Sequence, residues 1–366
     1  MRNMTTCGHS LANCGNMCYI INCMPMSERR KFLAKKRGCD MYHISVLTGR
    51  QDEDDFGERL RDMARVEYCS SMNEDIMADR MKDTDVIICK SEKLTSSLID
   101  RLDDLKLIVI LSTRSENVDL EAASKKGILV VNNTSYCVDD IADHTCAMIL
   151  ALIRQLPEYQ SDIRSNSRWE YGTISWPIHR VSDNLIGLVG FGHVGRAVAF
   201  RLQAFGCKIQ AYDPFVSEKV MMEHRVRPVD FDKLLQTSDV VSLHMPLDET
   251  TKYIFQDEQF EQMKKGAIFV NCCRGGLVDE ASLYHAVDDG HIRSAALDVL
   301  SMEHPSPMLL KMIARPEFLL TPNVSFHSVE ADQQVHNDAE HYIRLFLSGQ
   351  YQDLPVVPVR EGTGKF

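Results

Sequence analysis

The sequence predicts an α/β fold built on two doubly wound parallel sheets. Three observations predict it. Short, wholly apolar runs alternate with amphipathic stretches from His43 onward. A glycine cluster, Gly190-Phe191-Gly192-His193-Val194-Gly195, stands directly between one such run and a helical segment. The 366 residues make about two domains at ~150 residues each. Strands that alternate with helices pair in parallel through crossovers, and strands covered on both faces are apolar on both sides.

The elements follow in order. Residues 1 to about 40 have neither a helical nor an alternating period and end in a basic run, Arg29-Arg30-Lys31 and Lys35-Lys36-Arg37. They read as a flexible extension. Five cysteines (Cys7, Cys14, Cys18, Cys23, Cys39) crowd into it; Cys7, His9, Cys14, Cys18 and Cys23 are of metal-ligating type, but their spacings match no paired Cys-x2-Cys knuckle, and no metal is expected. Asn13, Gly15 and Asn16 interrupt any apolar core of signal-peptide type. Four strands are then expected at Ile44–Leu47, Val86–Ile88, Leu107–Ile110 and Ile128–Val131, with helical stretches such as Glu58 to Arg65 and Ser96 to Leu102 between them. A long apolar-periodic stretch, Ile141 to Leu156, reads as a helix linking two halves. Beyond it lie strands at Leu185–Val189, Lys208–Tyr212, Val240–Leu243, Ala267–Val270, Ala295–Leu297 and Phe318–Leu320.

Composition narrows the partners. With 52 acidic against 41 basic residues and a net charge of −11, direct nucleic-acid binding is disfavoured, because phosphate backbones require clustered cations. A local pocket can still hold a small anion against the global sign. No run approaches the ~20 apolar residues that cross a bilayer. The cysteines beyond the tail sit in apolar runs such as Val86-Ile87-Ile88-Cys89, as reduced thiols of a cytoplasmic protein do.

The glycine cluster carries the sharpest chemical signal. Gly190 makes the tight turn, Gly192 lets backbone approach a pyrophosphate, and Gly195 lets helix and strand pack closely. The phosphates would lie on the N–H groups that open the helix, at Gly192, His193, Val194 and Gly195. Asp213 ends the next strand, where a carboxylate accepts from both adenosine ribose hydroxyls. Its neighbours Pro214 and Phe215 offer no cation to an extra phosphate, so NAD(H) is favoured over NADP(H).

Ligands of open parallel sheets bind beyond the carboxyl ends of the strands. Those ends carry Asn271-Cys272-Cys273-Arg274-Gly275-Gly276, then Asp298 and Glu303, then Thr321-Pro322-Asn323. An arginine beside two glycines is well placed to fork onto a carboxylate. Together, Gly190–Gly195, Asn271–Glu280, Asp298–Pro305 and Thr321-Pro322 resemble the D-isomer-specific 2-hydroxyacid dehydrogenases, a family that includes phosphoglycerate and lactate dehydrogenases and the C-terminal binding protein corepressors. The resemblance covers roughly residues 41 to 350. It implies a Rossmann NAD-binding domain, 141–324, inserted into a discontinuous, flavodoxin-like substrate domain, 41–140 and 325–352, with tails at 1–40 and 353–366. It further implies a homodimer joined through the nucleotide-binding half. Such a protein transfers a hydride between NAD(H) and a small 2-hydroxy or 2-keto acid, with no metal. Arg274 then matches the arginine that anchors the substrate carboxylate and polarises the carbonyl, and Glu303 the glutamate that holds a catalytic histidine. Asp298 matches the aspartate at the nicotinamide carboxamide, and Cys273 falls among the cofactor contacts.

Two departures stand against this pattern. The family reads Thr-Pro-His where this chain has Thr321-Pro322-Asn323. Asparagine donates a hydrogen bond but delivers no proton, and general acid–base catalysis supplies about 10²–10⁴-fold in rate. His327 is the first candidate to replace the missing imidazole and His304 the second. The loop after Ile110 also lacks the family's glycines and places Arg114 there, as a new anion contact or a solvated loop cation. The alternative function is therefore a catalytically weakened, NAD(H)-sensing interaction protein in the manner of the corepressors.

Overall fold

The computed structural model describes residues 41–47, 55–71, 73–172, 174, 176–301 and 306–357. The chain divides into two compact units. One comprises the residues up to Thr134 together with those from Asp332 onward, and the other is Ser135–Ala331. The second is thus inserted into the first.

The first unit holds a five-stranded parallel sheet of β1 (Tyr42–Val46), β2 (Ala64–Tyr68), β3 (Val86–Cys89), β4 (Leu107–Ile110) and β5 (Leu129–Asn132), in the order β2-β1-β3-β4-β5. The central strands β3 and β4 are buried throughout, as sequence runs apolar on both sides require. Short helices α1 (Phe56–Arg59), α2 (Glu74–Arg80), α3 (Ser96–Asp100) and α4 (Leu120–Lys125) connect the strands. The last three start at side-chain caps, Asn73, Thr95 and Asp119, each accepting backbone N–H groups of the first turn.

One expectation fails here. Glu58 to Arg65 is not a helix: α1 is a single turn, and the chain from Ala64 becomes an edge strand beside β1. The alternation in Ala64-Arg65-Val66-Glu67-Tyr68 suits an edge strand with one face on the sheet core, and it outweighs the helical spacing of the preceding charges.

Helix α13 (Val329–Leu347) supplies the returning segment of this unit. It buries Val335, Ala339, Ile343 and Phe346 at helical spacing. Arg344 reaches Asp62 at 3.0 Å and the Arg59 carbonyl at 2.6 Å, while Arg59 bonds Asn337 at 2.8 Å. The described part of the expected C-terminal tail is paired: Val356 bridges Val131, and the Val357 N–H donates to the Val130 carbonyl at 2.8 Å. This covers the otherwise open edge of β5.

The second unit holds seven parallel strands: β6 (Leu185–Val189), β7 (Lys208–Tyr212), β8 (Arg227–Pro228), β9 (Val240–Leu243), β10 (Ala267–Asn271), β11 (Ile292–Leu297) and β12 (Phe318–Leu320). Their order is β12-β11-β10-β9-β6-β7-β8, so the direction of winding reverses between β6 and β9. Of these seven strands the sequence reading missed only β8, two residues long. The expected linking helix is α5 (Val138–Ile153); it belongs wholly to this unit and packs on α7 (His193–Ala204). It stops before Leu156 because Gln155 adopts φ 53°, after which α6 (Leu156–Asn166) begins. Helices α8 (Glu218–Glu223), α9 (Phe231–Thr237), α10 (Asp257–Gln262), α11 (Glu280–Asp288) and α12 (Pro307–Ile313) complete the layers. Among the described residues, no helix is long and apolar enough to cross a membrane, and all seven cysteines are free.

Candidate active site

The carboxyl ends of β6 and β9 meet at the winding reversal, and the glycine cluster sits on them. Gly190 has φ 101°, and a Cβ on it would lie 2.3 Å from the His244 carbonyl oxygen. A side chain there is excluded twice, by conformation and by contact. A Cβ on Gly195 would lie 2.6 Å from the Gly190 carbonyl oxygen, so strand, turn and helix close on one another. Gly192 differs: it caps α7 at φ −73°, and a Cβ on it would meet no heavy atom within 4 Å. The space over the start of α7 is therefore open, and the first N–H groups of a helix have no acceptor within it.

Asp213, at the end of β7, binds this turn directly. Its Oδ2 accepts from the Phe191 N–H at 2.8 Å, and its Oδ1 accepts from Phe215 and Val216 at 2.8 and 3.1 Å. On the other side of the turn, His244 follows β9. Its Nε2 lies 3.0 Å from Ser242 Oγ, whereas its Nδ1 is buried without a partner among the described residues. Burial pulls its pKa down to about 3, so the ring is neutral at ordinary pH. An open helix start, a glycine cradle and a sealed ring nitrogen with no partner form a set that fits a bound dinucleotide.

The chemical end of the edge is built from β10, β11 and β12. After β10, buried Asn271 ties the turn: its Nδ2 donates to the Arg274 carbonyl at 2.9 Å, and its Oδ1 accepts from the Cys273 N–H at 3.0 Å. This fixes the backbone that carries Arg274, whose Nη1 donates to the Cys273 carbonyl at 2.8 Å. The Cys273 thiol donates to the Leu243 carbonyl, and burial pushes its pKa up to about 12. Burial raises the Cys137 thiol, just before α5, to about 11, and the charge of Arg274 opposes that rise.

Asp298 follows β11 and is 1% exposed. Its Oδ1 accepts from Thr321 Oγ1 at 2.6 Å and from the Val324 N–H at 2.9 Å; its Oδ2 accepts from the Ser325 N–H at 3.0 Å. The Asn323 N–H donates to the Asp298 carbonyl at 2.7 Å. The turn after β12 is thus wrapped around one buried carboxylate. Asn323 takes φ 54° within it, a left-handed conformation that asparagine accepts more readily than most residues. His144, on α5, places Nε2 3.1 Å from Thr321 Oγ1.

Comparison with known proteins settles the family. Residues 146–325 match the model of the D-isomer specific 2-hydroxyacid dehydrogenase, NAD binding domain. The chain is 31% identical over 292 residues to the glycerate dehydrogenase of Methylorubrum extorquens, covering 79% of this chain and 90% of that one. The chain belongs to the D-isomer specific 2-hydroxyacid dehydrogenase family. It is also 31% identical over 328 residues to the D-3-phosphoglycerate dehydrogenase of Methanocaldococcus jannaschii, 88% of this chain but only 62% of that longer protein. Among solved structures, D-lactate dehydrogenase from Aquifex aeolicus, complexed with NAD and lactic acid, superposes with a TM-score of 0.77 at 25% identity, over 87% of this chain and 100% of that one.

Within this family member the expected site residues fall into three groups. Gly190, Gly192, His193, Val194, Gly195 and Asp213 gather at the β6–β7 edge, and Cys273, Arg274, Asp298 and Asn323 at the ends of β10, β11 and β12. His327 is exposed, with its N–H on the Val324 carbonyl at 3.0 Å and its ring edge-on to Phe326 at 6.4 Å. Glu303 and His304 lie outside the described residues, as does the cysteine-bearing tail. Among the described residues no cluster of His, Cys, Asp or Glu could hold a metal.

In the first unit, the turn bearing Arg114 is closed by Ser112: its Oγ accepts the Arg114 N–H at 3.1 Å, and Asn132 Nδ2 donates to the Thr113 carbonyl at 3.0 Å. Sequence reasoning missed His244 and the parts played by His144 and Thr321. Their one signal is position: His244 and Thr321 directly follow strands, and His144 sits two turns into a helix that packs on the sheet.

Proposed function

We propose that this chain is an NAD-dependent oxidoreductase acting on the CH–OH group of a small 2-hydroxy acid, or on the matching 2-keto acid. The observation that carries this reading is the strand–turn–helix at Gly190–Gly195, barred to side chains at Gly190 and open at Gly192. The bound dinucleotide would supply or accept the hydride. Gly192, His193, Val194 and Gly195 present the start of α7 to its diphosphate, and Asp213 faces its adenosine ribose. Arg274 holds the substrate carboxylate by a forked pair of hydrogen bonds, the geometry guanidinium provides. Asp298 accepts from the carboxamide. Asn323 donates to the substrate oxygen without releasing a proton, and His327 or His304 is the candidate acid in place of the imidazole that Glu303 would hold.

The relatives reported above are named dehydrogenases, and none of them favours the corepressor-like alternative. The second unit exposes Leu156, Trp169, Tyr171 and Phe200, the last three each more than 75% accessible. Apolar surface of this kind supports a homodimer through this unit. Among the described residues seven cysteines are free and six of these are buried, which supports a reducing, cytoplasmic setting. One experiment tests the whole: purified protein is titrated with NADH by calorimetry, sedimented, and assayed with NADH over a panel of 2-keto acids. Saturable NADH binding, a two-chain species and oxidation of NADH with at least one acid are expected. No binding heat from either NADH or NAD⁺ overturns the reading.

A further inference from the structure

The polar chain behind Asp298 has a direction that can be deduced. Thr321 has one hydroxyl proton, and its oxygen lies 2.6 Å from Asp298 Oδ1. A carboxylate only accepts, so that proton points to Asp298. The Thr321 oxygen is then left as an acceptor, and its other neighbour is His144 Nε2 at 3.1 Å. His144 must therefore carry a proton on Nε2 and donate it. The chain runs His144 Nε2–H to Thr321 O–H to Asp298 Oδ1, with Nε2 itself 3.8 Å from Oδ1.

The consequence lies on the other carboxylate oxygen. Oδ1 receives two donors, Thr321 and the Val324 N–H, while Oδ2 receives one, the Ser325 N–H. An ionised carboxylate offers about four lone-pair sites, so Oδ2 keeps an acceptor site that no described residue fills, within a side chain that is itself fully buried. Asp298 is buried, and a buried acceptor is worth most when its orientation is fixed. His144 contributes that fixity from α5, which packs along α7 but, among the described residues, shares no hydrogen bond with the glycine turn or with Asp213.

We infer that His144 is a positioning residue for the nicotinamide end of the cofactor. It acts through Thr321 to hold the Asp298 carboxylate with one acceptor site left unfilled for the carboxamide. This rests on the cofactor reading proposed above. It adds that the two ends of the dinucleotide are held by independent devices, so removing the His144 donor weakens one end alone.

The test compares two probes, NADH and ADP-ribose, the second lacking the nicotinamide ring, by calorimetry on the full chain. In His144→Phe, the NADH dissociation constant rises about three- to tenfold, the worth of one hydrogen bond, while that of ADP-ribose stays within twofold. In His144→Gln the side-chain amide restores a donor near the Nε2 position, and NADH affinity returns to within twofold of the parent. Thr321→Val breaks the chain one link later and gives the same split, which keeps the test alive should His144→Phe not fold. Equal weakening of both probes, no weakening of either, or a Gln variant no better than Phe overturns the inference. A parent chain that binds neither probe overturns the cofactor reading instead.

Discussion

The two ends of the second unit's ligand edge are made in different ways. At β6 and β7 the backbone does the work: Gly190 bends at φ 101°, Gly195 closes on it, and Asp213 pins the turn through the Phe191 N–H. At β10 to β12 the backbone is held by buried side chains: Asn271 ties the Arg274 turn, and Asp298 ties the Thr321–Ser325 turn. A site made from missing side chains is intolerant of any addition. One made from paired side chains is tolerant wherever a substitute keeps the hydrogen bonds and the dihedrals. The difference predicts where this protein breaks and where it can be improved.

The largest effect is expected inside the glycine turn. Gly190→Val places a Cβ on the His244 carbonyl in a conformation closed to branched residues. It should cost about 3 kcal/mol or more in stability and abolish NADH binding. Gly192→Ala keeps φ −73° and meets no atom within 4 Å, so its stability should stay within about 1 kcal/mol while NADH affinity falls at least tenfold. Urea unfolding and calorimetry on both variants separate the two. A Gly192→Ala protein that binds NADH normally would show that no phosphate approaches the start of α7.

The next effect is a gain. Asn323 occupies a left-handed turn position, and histidine shares with asparagine and aspartate a raised tolerance for that region. Its hydrogen bonds to Asp298 and Thr321 come from the backbone N–H and survive the exchange. Asn323→His should therefore stay within about 1 kcal/mol of the parent in stability while raising kcat on the best 2-keto acid by about 10²-fold or more, since it installs a proton donor. An unchanged kcat with unchanged NADH binding would show that another group already delivers the proton.

This contrast also explains what the sequence disclosed. The glycine turn was legible because it is local: strand, three spaced glycines and helix lie within one run, and Asp213 falls at the end of the next strand. The strands were legible because burial on both faces makes them continuously apolar. The network around Asp298 was not, since its members come from α5, β11 and β12 and are joined only by packing. His144 stood in the sequence as one residue of an amphipathic helix, with nothing to mark the turn it faces. The helix read over Glu58 to Arg65 failed for a related reason: an edge strand is covered on one face only and carries charges on the other, so its pattern is weak.

The last effect concerns His244, the half-buried imidazole between the two ends. Its pKa falls from an ordinary 6.5 to about 3 because burial penalises the charged ring. Between those values the unfolded chain binds a proton that the folded chain refuses, so stability rises with pH there and is lost on acidification. The slope from this one group is at most about 1.4 kcal/mol per pH unit. His244→Gln keeps a polar group beside Ser242 and removes the titration. Urea midpoints at pH 7, 6, 5 and 4 should therefore converge, the variant losing less stability than the parent across the window, because the carboxylates common to both cancel in the difference. Parallel pH curves would mean that the folded ring takes up its proton as readily as the unfolded one. The crevice between β6 and β9 would then be wet enough to hydrate a cation, and the contrast between a dry backbone-built end and a polar side-chain-built end would have to be abandoned.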